Sequence, residues 1–122
     1  MPNYTEKTNM QPQVYKHEDS RRILTEWIKD LPIRSVKIVE VKDSKMPLGK
    51  HFHRNKDEYF YLLKGKGVVT LSGKRNWRSW LFPGETVFIP RGVAHTFELE
   101  AGTIMLGAST EPFDPNDEIP IE

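Results

Sequence analysis

The sequence predicts one all-β domain, a barrel or sandwich of short antiparallel strands, preceded by a single amphipathic helix. Two observations support this prediction. From residue 35 onward, β-branched and aromatic residues recur in short runs in which apolar and polar residues alternate. Between the runs lie turn signals centred on glycine or proline, such as Pro83-Gly84-Glu85 and Pro90-Arg91-Gly92. Many short strands at this spacing are typical of antiparallel sandwiches and barrels.

Size and composition restrict the class of protein. A chain of 122 residues fits one domain, and 18 basic against 17 acidic side chains leave a net charge of +1. Nothing in this balance favours nucleic acid or an anionic membrane as partner. The absence of cysteine excludes disulfides, thiolate zinc sites and cysteine nucleophiles. Without an apolar leader or a run of about 20 apolar residues, we expect a cytoplasmic protein with a small-molecule partner.

The first predicted element is the helix. Residues 1–16 are polar and without periodicity, and we expect an arm that is disordered or ordered only by contact. Over 20–31 the apolar residues recur at helical spacing and the charged residues occupy the opposite face. The helix is predicted to begin near Asp19 and to end before Pro32. It belongs to a domain that covers residues 17–110.

The period then changes to two for the rest of the domain. The predicted strands cover residues 35–41, 51–53, 58–63, 67–71, 86–89, 95–99 and 103–106. Residues 54–57 are predicted to form a hairpin that pairs the second of these strands with the third. Residues 111–122 are too polar and proline-rich for a central strand, and we expect a tail that follows the surface.

Four residues of these strands predict a metal site. Because residues i and i+2 of a strand face the same side, His51 and His53 present two imidazoles together. Glu58 would lie opposite them across the hairpin, where Cβ atoms are about 4.5 to 5.5 Å apart. His95, which opens a strand after the Pro90 turn, completes the set. Such ligands suit one divalent transition metal, which could be Fe, Mn, Ni, Zn, Cu or Co, and Glu58 is also a candidate catalytic base.

The same residues resemble the cupin family. The first cupin motif fits from its first histidine onward as His51-x-His53-x4-Glu58-x6-Gly65, and the second fits as Gly84-x5-Pro90-x-Gly92-x2-His95. Lys45 replaces the opening glycine of the first motif, and Leu99 replaces the closing asparagine of the second. Neither position is a metal ligand in the family.

The resemblance implies a fold and an activity. The fold is a double-stranded β-helix, or jelly-roll barrel, of the small single-domain cupin 2 type. The expected function is that of an enzyme using the metal as a Lewis acid on a sugar, sugar nucleotide or oxo acid, as an isomerase, epimerase or lyase. A metal-dependent dioxygenase and a non-enzymatic ligand- or metal-binding protein are the alternatives. Cupin barrels often pair through terminal strands, so a homodimer is expected.

Further residues are candidates for the substrate pocket. Phe60, Leu62 and Phe97 share the strand parity of the metal ligands and are expected to face the barrel interior. Arg91 would lie near the barrel mouth, either binding a substrate carboxylate or phosphate or standing on the surface. An apolar pocket would favour the dioxygenase, and a basic mouth would favour a sugar or an acid.

Two tryptophans in a basic segment remain open to two interpretations. Trp77 and Trp80 lie within residues 74–80, a predicted basic loop that resembles a stacking and phosphate-binding patch. A solvated hairpin covering both tryptophans is the alternative. His17 lies on a polar segment without a partner in view and is assigned no site.

Overall fold

A computed structural model describes residues 14–44, 47–73 and 76–121. Within them the chain forms short β-strands and one turn of 3₁₀ helix. The strands are β1 (Tyr15–Glu18), β2 (Ile23–Glu26), β3 (Ser35–Glu40), β4 (Leu48–Phe52), β5 (Glu58–Lys64), β6 (Gly67–Ser72), β7 (Asn76–Leu81), β8 (Thr86–Ile89), β9 (Ala94–Leu99), β10 (Ile104–Ser109) and β11 (Ile119–Pro120). The all-β prediction is confirmed. No helix in the described part of the chain has the length and apolar character needed to cross a membrane.

Two antiparallel sheets face each other and enclose the core. One has the order β3-β10-β5-β8, and the other has the order β11-β4-β9-β6-β7. Leu62, Val69 and Leu81 are fully buried between the sheets, with Met105 and Val87 beside them. The alternation that predicted the strands therefore separates a packed interior from an outer face.

The predicted helix over 20–31 is wrong, because this part of the chain contains β2. The Asp19 carboxylate accepts the backbone N–H groups of Arg21 at 2.8 Å and Arg22 at 3.1 Å, and the Asp19 N–H donates to the Arg22 carbonyl. The residue predicted to cap a helix thus closes the turn of a β1–β2 hairpin. Cross-strand pairing overrides the helical spacing, and β-branched Ile23 and Thr25 suit a strand. Residues 1–13 of the predicted arm lie outside the described residues.

The predicted hairpin over 54–57 is also wrong. β4 pairs with β9 and β11, whereas β5 pairs with β8 and β10, so residues 54–57 cross from one sheet to the other. His51 therefore lies opposite His95 in its own sheet, and Glu58 belongs to the facing sheet. Strand pairing depends on partners distant in sequence, which local alternation does not reveal.

Residues 76–81 form β7 rather than a loop. Trp77 is buried in the core, whereas Trp80 is exposed and stacks on Phe82 with ring centroids 6.0 Å apart. Trp77 is therefore unavailable as a stacking surface. Lys74 and Arg75 of the predicted basic patch, and Lys45 before β4, lie outside the described residues.

The C-terminal tail takes part in the sandwich. After the 3₁₀ turn Pro115–Asp117, β11 pairs with β4 and forms the edge of that sheet. Asp117 is buried, and its carboxylate accepts the N–H groups of Arg54 and Asn55 at 2.9 and 3.1 Å. The tail thus fastens the segment that follows β4.

Candidate metal centre

Three of the four histidines of the chain converge between the sheets. His51 and His95 are directly opposed in the β4–β9 pair, and His53 follows the end of β4. The ligand nitrogens of all three lie within 4.8 Å of one another. The structure therefore brings together the imidazoles that the sequence selects, and it leaves His17 apart, beside Asp19.

A β-bulge sets the position of His51. The register shifts between Gly49 and His51, and both Gly49 and Lys50 have left-handed φ values, of 92° and 57°. A Cβ at Gly49 would lie 2.7 Å from the carbonyl oxygen of His95, so glycine is required there for space as well as for conformation. A bulge re-aims the side chains that follow it. Here it places His51 opposite His95.

Glu58 reaches the histidines across the sandwich. Its Oε1 lies 3.0 Å from His53 Nε2 and 3.6 Å from His95 Nε2, and the side chain is 2% exposed. Oε1 is buried, and in the described part of the chain no hydrogen-bond donor other than these imidazoles lies within reach of it. The other oxygen, Oε2, lies 3.3 Å from Lys37 Nζ and 3.9 Å from Lys56 Nζ. One carboxylate oxygen is thus stabilised by ammonium groups, and the other faces two imidazoles.

The hydrogen bonds behind the rings fix which nitrogen carries the proton. His53 Nδ1 lies 2.8 Å from the Asp117 carbonyl oxygen, and His95 Nδ1 lies 3.4 Å from that of Val93. Because a carbonyl oxygen only accepts, both Nδ1 atoms donate. In the neutral rings each Nε2 then presents a lone pair toward Glu58 Oε1. A cation bound between these three atoms would be ligated by two imidazole nitrogens and one carboxylate oxygen.

The distances agree with ligation of one ion. Ligands at bond lengths of about 2.1 Å lie roughly 3.0 to 3.4 Å apart around a common metal. The two separations measured from Glu58 Oε1 are 3.0 and 3.6 Å, and the three histidine nitrogens lie within 4.8 Å of one another, so the ligands would have to draw slightly closer around an ion. Metal-bound histidines also usually donate their second ring N–H to a carbonyl or carboxylate, as His53 and His95 do here. The residues present therefore fit a divalent metal.

The protonation states suit ligation at neutral pH. Burial alone would raise the pKa of Glu58, but the neighbouring His53 and Lys37 outweigh it, and the pKa lies at about 2. Burial lowers the pKa of His95 to about 4, against the opposing effect of the Glu58 carboxylate. Burial and the adjacent His53 also lower the pKa of His51. The carboxylate is thus charged and these imidazoles are neutral, as metal ligands must be.

A cavity of about 100 Å³ opens beside these residues. Phe60 and Phe97 form part of its wall and meet edge to face, with ring centroids 5.1 Å apart. Leu62 shares their parity but is fully buried in the core and does not border the cavity. Two polar residues, Lys37 and Glu118, border it as well.

Arg91 lies away from this cavity. Its backbone N–H and Nε donate to Asp57 Oδ1 at 2.9 and 3.2 Å, and its side chain is exposed. Asp57 in turn donates its own N–H to Thr110 Oγ1. Arg91 therefore fastens the turn before β9 to the crossing that precedes β5. A role of Arg91 in binding substrate stays a prediction.

Sequence reasoning missed Lys37, Glu118 and Asp117 as members of the site. Lys37 alternates with outward-facing Val36 and Ile38, so strand parity carried a signal for it. Glu118 and Asp117 reach the site because the tail pairs with β4, and no local pattern encodes that pairing. Their discovery required the tertiary structure.

Comparison with protein-family models gives one match. The model described as "Cupin domain" matches residues 38–106, which is more than half of the chain. Among curated proteins, an uncharacterized protein of Aquifex aeolicus (strain VF5) is 29% identical over 96 residues, which cover 78% of this chain and 74% of that protein.

Solved structures with a similar fold include several enzymes. The TDP-quinovose 3,4-ketoisomerase of Campylobacter jejuni has a TM-score of 0.80 at 20% identity, with 88% of each chain covered. The sugar 3,4-ketoisomerase of Thermoanaerobacterium thermosaccharolyticum, in complex with TDP, has a TM-score of 0.77 at 21% identity, with 90% of this chain and 85% of that one covered. The rmlC epimerase of Mycobacterium tuberculosis has a TM-score of 0.76 at 19% identity, with 90% and 66% covered. At these identities the likeness shows a shared fold.

Proposed function

The chain belongs to the cupin family, and from this premise we propose that it is a metal-dependent enzyme acting on a sugar or sugar nucleotide. His51, His53, Glu58 and His95 hold one divalent metal. The observation that carries the metal is the convergence of the buried Glu58 Oε1 with the Nε2 atoms of His53 and His95, whose Nδ1 atoms face carbonyl oxygens. A buried charged oxygen is costly unless a cation offsets it. The sugar-nucleotide enzymes of the same fold support the substrate class.

The proposed reaction moves a proton next to a carbonyl group, as an isomerase or epimerase does. A bound divalent metal would polarise a carbonyl or hydroxyl oxygen as a Lewis acid. Phe60 and Phe97 exclude water from one wall of the cavity. The pKa of about 2 makes Glu58 a poor proton acceptor, so its role is ligation. Glu118 borders the cavity outside the ligand set and is the better-placed acceptor.

Metal analysis of the purified protein tests the centre. We expect about one divalent ion per chain after reconstitution, and an affinity lowered by more than about tenfold in His95→Ala and Glu58→Gln. His17→Ala removes an exposed histidine outside the cavity and serves as the matched control. A wild-type protein that takes up no metal, or a His95→Ala variant that binds metal as tightly as wild type, would contradict the proposal.

Proton exchange tests the reaction. TDP-4-keto-6-deoxyglucose, which one of the ketoisomerases of this fold binds, is incubated with the metal-loaded protein in D₂O. We expect deuterium in the sugar ring by mass spectrometry, and less of it with Glu118→Gln. Oxygen consumption with a phenol, without deuterium uptake from keto sugars, would instead favour the dioxygenase. Metal binding without either activity would favour a non-enzymatic binding protein.

A further inference from the structure

Lys37 is an inward-facing lysine in the wall of the candidate site. It lies on β3 between Val36 and Ile38, whose side chains point outward into solvent. Its Nζ lies 3.3 Å from Glu58 Oε2 and 5.4 Å from the centroid of the Phe60 ring. The side chain is 50% exposed and borders the cavity. The ammonium group of Lys37 therefore contacts the buried Glu58 carboxylate and can also contact a molecule bound in the cavity.

Gly107 leaves the space that the Lys37 side chain occupies. The two residues are opposed in the β3–β10 pair. A Cβ at Gly107 would lie 3.0 Å from Lys37 Cε, 3.1 Å from Lys37 Cγ and 2.9 Å from Phe60 Cε1. Such distances are below ordinary carbon contacts, so a side chain here would displace the lysine stem or the ring. The path of Lys37 into the cavity is thus shaped by its neighbours.

We propose that Lys37 is a substrate-binding residue whose ammonium group binds an oxygen anion of the substrate, an inference that rests on the proposed function of the same cavity. An ammonium group has three donors, and one of them suffices for Glu58 Oε2. The side chain is half exposed and borders the cavity, so its remaining donors are available to a molecule bound there. A fixed positive charge in such a place stabilises an oxyanion more strongly than water does.

The size of the cavity limits the anion. The cavity is open to solvent, and a volume of about 100 Å³ holds a carboxylate of a few carbons or the reacting part of a sugar ring. Glycolate, which carries a carboxylate and an adjacent hydroxyl, is therefore a suitable probe. Its binding to the full chain is measured by isothermal titration calorimetry with metal-free protein, so that glycolate cannot bind a metal ion instead of Lys37.

Substitutions of Lys37 test whether its ammonium group binds glycolate. We expect Lys37→Met and Lys37→Gln to weaken glycolate binding about tenfold or more, the effect of one hydrogen bond to a charged group. Lys64→Met removes an exposed lysine at the end of β5 and should bind like wild type. Circular dichroism establishes that each variant is folded. Equal binding by wild type and both Lys37 variants, or no binding by wild type at millimolar glycolate, would overturn the proposal.

A second variant separates anion binding from a purely structural role. Glu58→Gln removes the carboxylate that competes for the ammonium group, so glycolate should bind more tightly than to wild type. The double variant Lys37→Met/Glu58→Gln should lose this gain. If Lys37 only holds Glu58 in place, Glu58→Gln will leave glycolate binding unchanged. Failure of the proposed function appears separately, as absent deuterium uptake from keto sugars while glycolate still binds.

Discussion

A buried and charged carboxylate is the residue on which the candidate metal centre depends. Removing an isolated carboxylate from water costs several kcal/mol in proteins. The ammonium groups of Lys37 and Lys56 offset part of this cost at Oε2 of Glu58. At the buried Oε1 the close polar groups among the described residues are the Nε2 atoms of His53 and His95, and no ammonium group lies there. Because its two oxygens differ in this way, Oε1 of Glu58 is the oxygen available to bind a metal ion.

The buried state of His95 predicts how stability depends on pH. Its pKa is lowered from 6.5 to about 4, so between these values the folded metal-free protein binds fewer protons than the unfolded chain. The free energy of unfolding should therefore be highest above pH 6.5 and fall by up to about 3 kcal/mol as the pH approaches 4. Urea denaturation of the metal-free protein across this window measures the slope.

Two variants identify the residue responsible for this slope. His95→Gln should reduce the pH dependence in the window and leave the smaller part due to His51, whose pKa is also lowered, whereas His17→Ala should keep the wild-type slope. A slope unchanged in His95→Gln would show that other groups cause the loss. The Glu58 carboxylate, with its pKa of about 2, contributes a separate loss below pH 4.5.

The sequence predicted which residues come together at the site, but not the strand pairing that brings them together. The spacing of His51, His53 and Glu58, together with the turn before His95, is sufficient to select them, because motif spacing and strand parity are local. Their ligand role itself stays a prediction. The predicted route, an antiparallel hairpin, fails because β4 and β5 pair within different sheets. Strand partners are chosen by long-range packing, which alternation alone leaves open.

Among the elements, the C-terminal segment does the most to hold the site in place. The Asp117 carbonyl accepts from His53 Nδ1, and its carboxylate accepts from the backbone of Arg54 and Asn55. Asp114 caps the short 3₁₀ turn by accepting the Asn116 N–H. The segment therefore restrains both the ring of His53 and the chain that follows it. Such partners behind a ligand orient it and tune its basicity.

Loss of the Asp117 carboxylate should weaken the restraint of the C-terminal segment on His53. We expect Asp117→Ala to weaken metal binding about tenfold, because the turn that presents the carbonyl to His53 loses its anchor on the backbone of Arg54 and Asn55. Asp117→Asn keeps one acceptor oxygen and should lie between Ala and wild type. Competition with a chelator measures the affinity.

A control in the same segment distinguishes this effect from a general effect of the tail. Glu111 also belongs to the tail, but its carboxylate pairs with Arg34 on the surface. Glu111→Ala should bind metal like wild type. Equal affinities in Asp117→Ala and wild type would show that the tail plays no part in holding the metal ligands.

Residues 20–31 and β7 differ from their predicted structures for two different reasons. Residues 20–31 combine helical spacing with a good cap, and tertiary pairing of β1 with β2 overrides both. The sequence predicts a loop where β7 lies, because the exposed face of this strand carries Asn76 and Arg78. Its buried face, with Trp77 and Leu81, shows the alternation of an edge strand that packs on the core. The central strands were predictable because both their flanking turns and their apolar runs are strong.

At the scale of the whole molecule, the edge strand β3 presents an exposed apolar surface. β1 and β2 form a separate two-stranded sheet, and such hairpins are marginally stable on their own. Beside them, β3 is the edge of its sheet, and Val36 and Ile38 are 70% and 67% exposed. Ile23 of β2 is 65% exposed as well. An unpaired edge next to exposed apolar side chains favours association with a second copy.

We therefore expect a homodimer in solution, in agreement with the prediction from the sequence. A two-fold interface contains each residue twice, so Ile38→Lys would place two positive charges on one apolar surface and shift the protein toward the monomer. Light scattering coupled to size-exclusion chromatography measures the mass at micromolar concentration. Trp80→Lys introduces the same charge on the opposite sheet, at a side chain that is also exposed, and should leave the dimer intact. A monomeric wild type would refute the dimer, and equal dissociation by both variants would place its interface elsewhere than on β3.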